Sequence, residues 1–339
     1  MELIHILETA VNAVFPVVLV TFLGYFLRRI GFLPQAFIST GSRLSFNVLM
    51  PCMLFVNVYS IENFSVIRWD VVVYCIAVLL VIFLLGMATS MAVTPVPERK
   101  GVILQAAFRS NMAIVGLSLA GVLGGEEAVA MAAIVSACTL PLMNIFAVIS
   151  LTVFLEGSDK VDIGGILKNI AKNPIILGIL AGMVCLLIRG TQLRYFGSVM
   201  FSLNGQLEFL YNALVSVKAM TSPFALMILG AQFDFSASKG MLREIIAGII
   251  WRVILAPVIG IGAAVLLTKW AVLDFGVNEF PALIALFGTP TAVSSAIMAG
   301  QMKNDEQLAT QLVVWTSICS VATMFLTVCL LMAEGLLIS

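Results

Sequence analysis

Ala285-Leu286-Phe287-Gly288-Thr289-Pro290-Thr291 lies midway along residues 280–302, an apolar run without a single charge. Proline lacks a backbone donor and clashes one turn back, and the flanking glycine and threonines loosen a helix further. Moving 179 residues toward the N-terminus lays Ala106-Ala107-Phe108-Arg109-Ser110-Asn111 over Ala285-Leu286-Phe287-Gly288-Thr289-Pro290. There, three consecutive polar residues interrupt another apolar run, and Ser and Asn compete for backbone hydrogen bonds. The same offset pairs Ala113 with Ala292, Ala120-Gly121 with Ala299-Gly300 and Glu126-Glu127 with Asp305-Glu306, with seven identities between 105 and 130. The chain therefore carries two matched interruptions, one in each half.

The medium around them follows from composition. Of 339 residues, 61% are apolar and 11% charged, with 18 Lys+Arg against 18 Asp+Glu, and the mean hydropathy is +1.11. Soluble domains run about 45–50% apolar and about 25% charged. So little charge cannot cover a water-facing surface, which excludes soluble enzymes and nucleic-acid binders. The six cysteines are scattered through apolar stretches without CxxC spacing and read as small core residues. Met1-Glu2-Leu3-Ile4-His5 lacks the basic start of a signal peptide, so the first apolar segment is expected to be retained.

Cutting the chain at its charges yields ten apolar segments. Seven are free of charge: 9–27, 44–61, 71–97, 128–155, 173–188, 280–302 and 307–333. Three hold one each: 101–125 (Arg109), 209–233 (Lys218) and 245–268 (Arg252). Most approach or exceed the roughly 20 residues that cross the bilayer as a helix. The reading is an all-α integral membrane protein of ten transmembrane helices. Residues 1–156 form a first five-helix repeat, 157–171 a short cytoplasmic linker and 172–339 a second repeat. An odd number of helices per repeat makes the second copy enter from the opposite side, the inverted arrangement of secondary transporters. Outside the segments, four basic residues fall on the face shared by both termini and eleven on the other. The positive-inside rule then puts both termini outside, in a multi-pass cell (inner) membrane protein.

All three charges within segments are positive. At 1.5 Å per residue, Arg109 and Arg252 lie roughly 12 Å deep and Lys218 roughly 15 Å. Each costs about 2.5–3.5 kcal/mol even on the permissive insertion scale, and such residues point to function. No segment supplies a carboxylate to neutralise them, so an anion from outside is the expected partner. Irregular backbone in a membrane must be buried in protein or line a cavity, and paired breaks point to the binding site. Arg109, Ser110, Asn111, Thr289, Pro290, Thr291 and Lys218 are accordingly candidate substrate-binding residues. Arg252 has the further readings of snorkelling to the cytosol or pairing with Asp234. Without an intramembrane Asp, Glu or His a proton relay is not expected. A sodium site from Gln301, Asn111 and the threonines stays open, and no cofactor or structural metal is called for.

Several motifs resemble the auxin efflux carrier family, which includes plant PIN-type carriers and bacterial malate/malonate permeases. They are Arg43-Leu-Ser-Phe-Asn47-Val-Leu-Met-Pro51, Ser110-Asn-Met-Ala-Ile-Val-Gly-Leu117, Lys172-Asn-Pro-Ile-Ile-Leu-Gly178, Pro223-Phe-Ala-Leu-Met-Ile-Leu-Gly-Ala231 and Thr289-Pro-Thr-Ala-Val293. The resemblance implies that the fourth and ninth segments cross at their breaks, with the family's crossover asparagine at Asn111 and proline at Pro290. It adds Asn47 to the candidate set. It implies a scaffold of segments 1, 2, 6 and 7, often a homodimer, and a transport domain of segments 3–5 and 8–10 that moves as an elevator. Ser118 stands where many members have proline, which implies a milder break in the fourth segment. Basic residues at 109 and 218 depart from the family pattern and point to a more highly charged substrate.

The expected function is secondary transport of a small organic anion, a dicarboxylate such as malate or malonate. The alternatives are a sodium-coupled carrier of larger amphipathic acids, bile-acid-like or auxin-like, and a membrane sensor without transport. No HExxH motif, intramembrane aspartate pair or His/Cys cluster suggests an enzyme.

Overall fold

The structure, a computed structural model, describes residues 2–60, 68–155, 172–234 and 240–337; the expected linker at 157–171 lies outside them. Helix makes up 83% of the structure, and there is no strand among the described residues. Among the described residues six helices are long and apolar enough to cross a membrane.

In chain order, α1 (Glu2–Arg29) is followed by α2 (Gln35–Leu44), which runs through a π-helical turn, Ser45–Leu49, into α3 (Met50–Tyr59). Next come α4 (Trp69–Val93), α5 (Pro97–Phe108), a π turn at Met112–Gly116, and α6 (Leu117–Val153). The second half holds α7 (Pro174–Phe196), α8 (Leu203–Gln206), α9 (Glu208–Gln232) and α10 (Leu242–Ile250). After π turns at Trp251–Leu255 and Val258–Gly262 come α11 (Ala263–Lys269), α12 (Glu279–Leu283) with its π turn Ile284–Gly288, α13 (Ser294–Gln301) and α14 (Glu306–Ala333).

The boundaries have local causes. Thr94, which precedes Pro95, is extended and ends α4, as expected of a residue before proline. Pro97 and Pro174 open α5 and α7 in the first turn, where the missing N–H costs nothing. Asn173 and Asp305 cap α7 and α14, each side-chain oxygen accepting a backbone N–H at 2.9 Å. Inside α6, Gly124 (φ −151°, ψ 15°) and Gly125 (φ 66°, ψ −156°) leave helical geometry and divide it in two. The Gly125 conformation is open only to glycine. That turn falls where two apolar segments were separated in the sequence.

Two groups of packed helices can be traced, and α1 also packs on α14 across them. In the first, α1 packs against α9 and α3 against α7. Gly178 and Gly182 bring α7 so close to α3 that an added Cβ would meet the Pro51 carbonyl oxygen at 2.5 Å and the Phe55 carbonyl oxygen at 3.0 Å. The GxxxG spacing in the sixth segment thus serves backbone approach. In the second group α4 packs on α5, α5 on α6 and α10, and α13 on α14. Ion pairs tie it at both ends. Arg99 reaches Glu244 at 3.0 Å and Asp305 at 2.9 Å, while Arg68 reaches Asp70 at 2.7 Å and Glu279 at 3.1 Å. Phe83, Phe108 and Phe146 cluster behind the end of α5, with ring centroids 4.7–6.0 Å apart.

Candidate functional site

Both interruptions are present, and they meet. Helix stops at Phe108 and resumes at Met112; it stops at Gly288 and resumes at Ser294. Between the stops the two strands of chain lie antiparallel, with Ser110 opposite Thr291. The Asn111 N–H donates to the Pro290 carbonyl at 2.8 Å, and the Ala292 N–H donates to the Arg109 carbonyl at 3.2 Å. Backbone groups released by breaking both helices thereby satisfy one another, as hydrocarbon requires. Helix runs unbroken through Ser118, so the interruption is confined to 109–111.

A cavity of about 60 Å³ opens beside this crossing. Arg109, Ser110, Asn111 and Ala113 line one side, and Ala292, Val293 and Ser294 another. Met143 and Asn144 of α6 contribute, and Met50, Met53 and Asn57 of α3 with Thr221 and Ser222 of α9 close it from the first group. Helical segments begin at Met112 and Ser294, so two positive helix ends face this space.

Arg109 is 4% exposed. Its Nη2 donates to Asn144 Oδ1 at 2.7 Å and to Ser294 Oγ at 2.9 Å. Nη1 donates to the Gln105 side-chain oxygen at 3.1 Å, whose amide nitrogen in turn donates to the Ser295 carbonyl at 3.2 Å. Met298 Sδ also lies against Nη1. Every partner is neutral, and Arg109 forms no ion pair among the described residues. The cation is held in place and left uncompensated. Asn111 Nδ2 and Thr291 Oγ1 are buried without a hydrogen-bond partner among the described residues, a feature that calls for explanation in a buried site.

The other candidates divide. Thr289 lies outside the lining, its hydroxyl donating back to the Ala285 carbonyl at 2.9 Å. The Thr291 N–H donates to Thr316 Oγ1 at 3.1 Å. Thr289, Pro290 and Thr291 build the crossing, and the residues just after them line the cavity. Lys218 is half-buried on α9 and is not among the lining residues. Asn47 also lies outside the lining; its Nδ2 donates to the Arg43 carbonyl at 2.9 Å. Gln301, a sodium-site candidate, donates to Ser42 Oγ at 3.1 Å at the rim of a separate cavity of about 770 Å³. That cavity is polar and open, with Arg28, Arg29, Arg43, Gln232 and Glu306 in its walls.

Arg252 neither snorkels nor pairs with Asp234. It is 0% exposed, its Nη1 donating to the Ala107 carbonyl at 3.4 Å and its Nη2 to the Leu286 carbonyl at 3.3 Å and to the Phe287 carbonyl. Asn57, Gln105 and Asn144 were missed in the sequence. Asn144 had a signal, an amide three residues beyond Pro141 in an otherwise apolar segment. Among the described residues no group of His, Cys, Asp or Glu could hold a metal ion.

A protein-family model described as membrane transport protein matches residues 9–328. No curated protein matches the chain.

Proposed function

Because the chain belongs to the auxin efflux carrier family of membrane transport proteins, we propose that it is a secondary carrier of a small organic anion, with dicarboxylates such as malate or malonate as the substrate class. One observation carries this reading: the Arg109 guanidinium, buried and bonded only to neutral groups, stands at a cavity beside two helix N-termini. A carboxylate entering there would gain a charge-assisted hydrogen bond and relieve an uncompensated buried charge. The unpartnered Asn111 Nδ2 offers a second donor. A second carboxylate on the same substrate has Ser110, Ser294 and Asn57 within the lining.

The architecture supports the ten-helix inverted repeat as the frame. Each half contains one interrupted element, and the interruptions pair across the halves. The first helix group (α1–α3, α7 and α9) would be the scaffold, and the ion-paired second group (α4–α6 and α10–α14) the transport domain that moves as an elevator. The cavity lies between them, as that motion requires. Both termini face outward in this reading, with the end bearing Arg28, Arg29, Arg43 and Arg99 in the cytoplasm of a cell (inner) membrane. A homodimer through the scaffold completes it.

Flux into proteoliposomes tests the proposal, with malate, malonate, succinate, lactate and indole-acetate each offered with and without sodium. Sodium-independent uptake of a dicarboxylate is expected. Uptake confined to the amphipathic acid with sodium would replace this reading by the sodium-coupled one. Silence across the panel from folded protein would overturn it.

A further inference from the structure

Two interrupted helices leave four poles at their crossing, and only two of them face the cavity. The other two are negative. α5 ends at Phe108, and the π turn after α12 ends at Gly288, so carbonyls of both half-helices lose their intrahelical partners at the crossing. Each such end carries roughly half a negative charge. In carriers with broken helices, these ends and the unwound carbonyls are where a co-transported cation binds.

Here that place is taken. Arg252 donates to the carbonyl of Ala107 on one half-helix and to those of Leu286 and Phe287 on the other. The side chain is wholly buried, and it forms no ion pair among the described residues. It springs from a π-helical turn, Trp251–Leu255, an irregularity that often marks a functional position. A guanidinium spans two groups of carbonyls at once because its donors are arranged as a rigid fork. Nothing about packing alone requires a cation at this point, since an apolar side chain would fill the volume without the desolvation cost. Two negative poles favour one, and the guanidinium meets them through its two terminal nitrogens, its buried Nε having no partner among the described residues.

We propose that Arg252 is a resident cation, occupying the position a coupling ion would otherwise take and so freeing transport from sodium. It acts as a positioning residue. It holds the two C-terminal poles together, while the two N-terminal poles and Arg109 receive the substrate. This deepens the carrier reading above and rests on it.

The test compares wild type, Arg252→Lys and Arg252→Met, purified and reconstituted. Malonate uptake is measured in sodium, potassium and choline salts, and melting temperature with and without millimolar guanidinium chloride. Wild-type uptake is expected to be equal within about twofold in the three salts. Arg252→Lys should keep about a third of it and Arg252→Met should lose at least about tenfold. Arg252→Met should melt lower than wild type and be raised by guanidinium, which leaves wild type unchanged. Sodium-dependent wild-type uptake would overturn the proposal. So would Arg252→Met matching wild type in uptake or melting, or Arg252→Lys being as inactive as Arg252→Met. If Arg252→Met does not fold, the wild-type salt comparison and Arg252→Lys still decide. If wild type moves no anion in the panel, the carrier reading fails, while the melting series still reports on the charge at the two poles.

Discussion

Asn144 Oδ1 accepts a hydrogen bond from Arg109 Nη2 at 2.7 Å, across 35 residues and from α6 to the break that follows α5. The amide does for the guanidinium what a carboxylate would do in a structural ion pair, but without neutralising it. Charge therefore remains available at the cavity, and the position of Asn144 becomes a sensitive place to intervene.

Asn144→Asp should abolish anion transport, by at least about tenfold, while leaving the protein as stable as wild type or more so. The new carboxylate would pair with Arg109 and take the substrate's place. Uptake and melting temperature measured on the same preparation check this. Retained transport would show that the charge of Arg109 does not serve the substrate.

Arg109→Gln should lose transport by a comparable factor without loss of folded protein. The buried cation is removed together with its desolvation cost, and its partners are neutral groups that glutamine can partly satisfy. Asn111→Ala should behave alike, since the Asn111 side-chain nitrogen has no partner among the described residues to lose. Size-exclusion profiles and uptake distinguish these outcomes from misfolding.

Gly178→Ala should weaken the contact between α7 and α3, because the added Cβ would sit 2.5 Å from the Pro51 carbonyl oxygen. Forcing the two backbones apart costs about 1–3 kcal/mol. A lower melting temperature is expected, with binding of substrate little changed in the protein that remains folded.

Gly125→Ala should destabilise by a different route. At φ 66° and ψ −156° an alanine is strained by about 1–3 kcal/mol even though nothing lies within 4 Å of the added carbon. Replacement by D-alanine through peptide semisynthesis should restore the melting temperature, which separates strain from crowding.

Much of this arrangement could be read from the chain. Proline and consecutive polar residues inside uncharged runs have few explanations in hydrocarbon, so the interruptions at 109–111 and 288–291 were visible, and the 179-residue offset paired them. Position along a helix was legible too, because rise per residue is fixed. Direction around the helix was not. Lys218 lies outside the cavity lining, since its azimuth depends on how α9 packs against α1 and α3. Asn144, Gln105 and Asn57 escaped for the same reason, each being a single amide in its helix. Arg252 was seen as a charge, but neither the snorkelling nor the Asp234 pairing read for it holds, because its partners are backbone carbonyls, which leave no mark on the sequence of side chains.

Arg109 and Arg252 both belong to the ion-paired helix group, which gives the proposed elevator an electrical character. Moving one elementary charge through 100 mV is worth about 2.3 kcal/mol. An empty transport domain would travel with two positive charges inside it, drawn toward the negative side of the membrane, whereas a domain loaded with a dianion would travel neutral. Voltage would then act on the return of the carrier and hardly at all on its delivery, and the cell's own potential, with no second ion, would decide on which side the empty site waits.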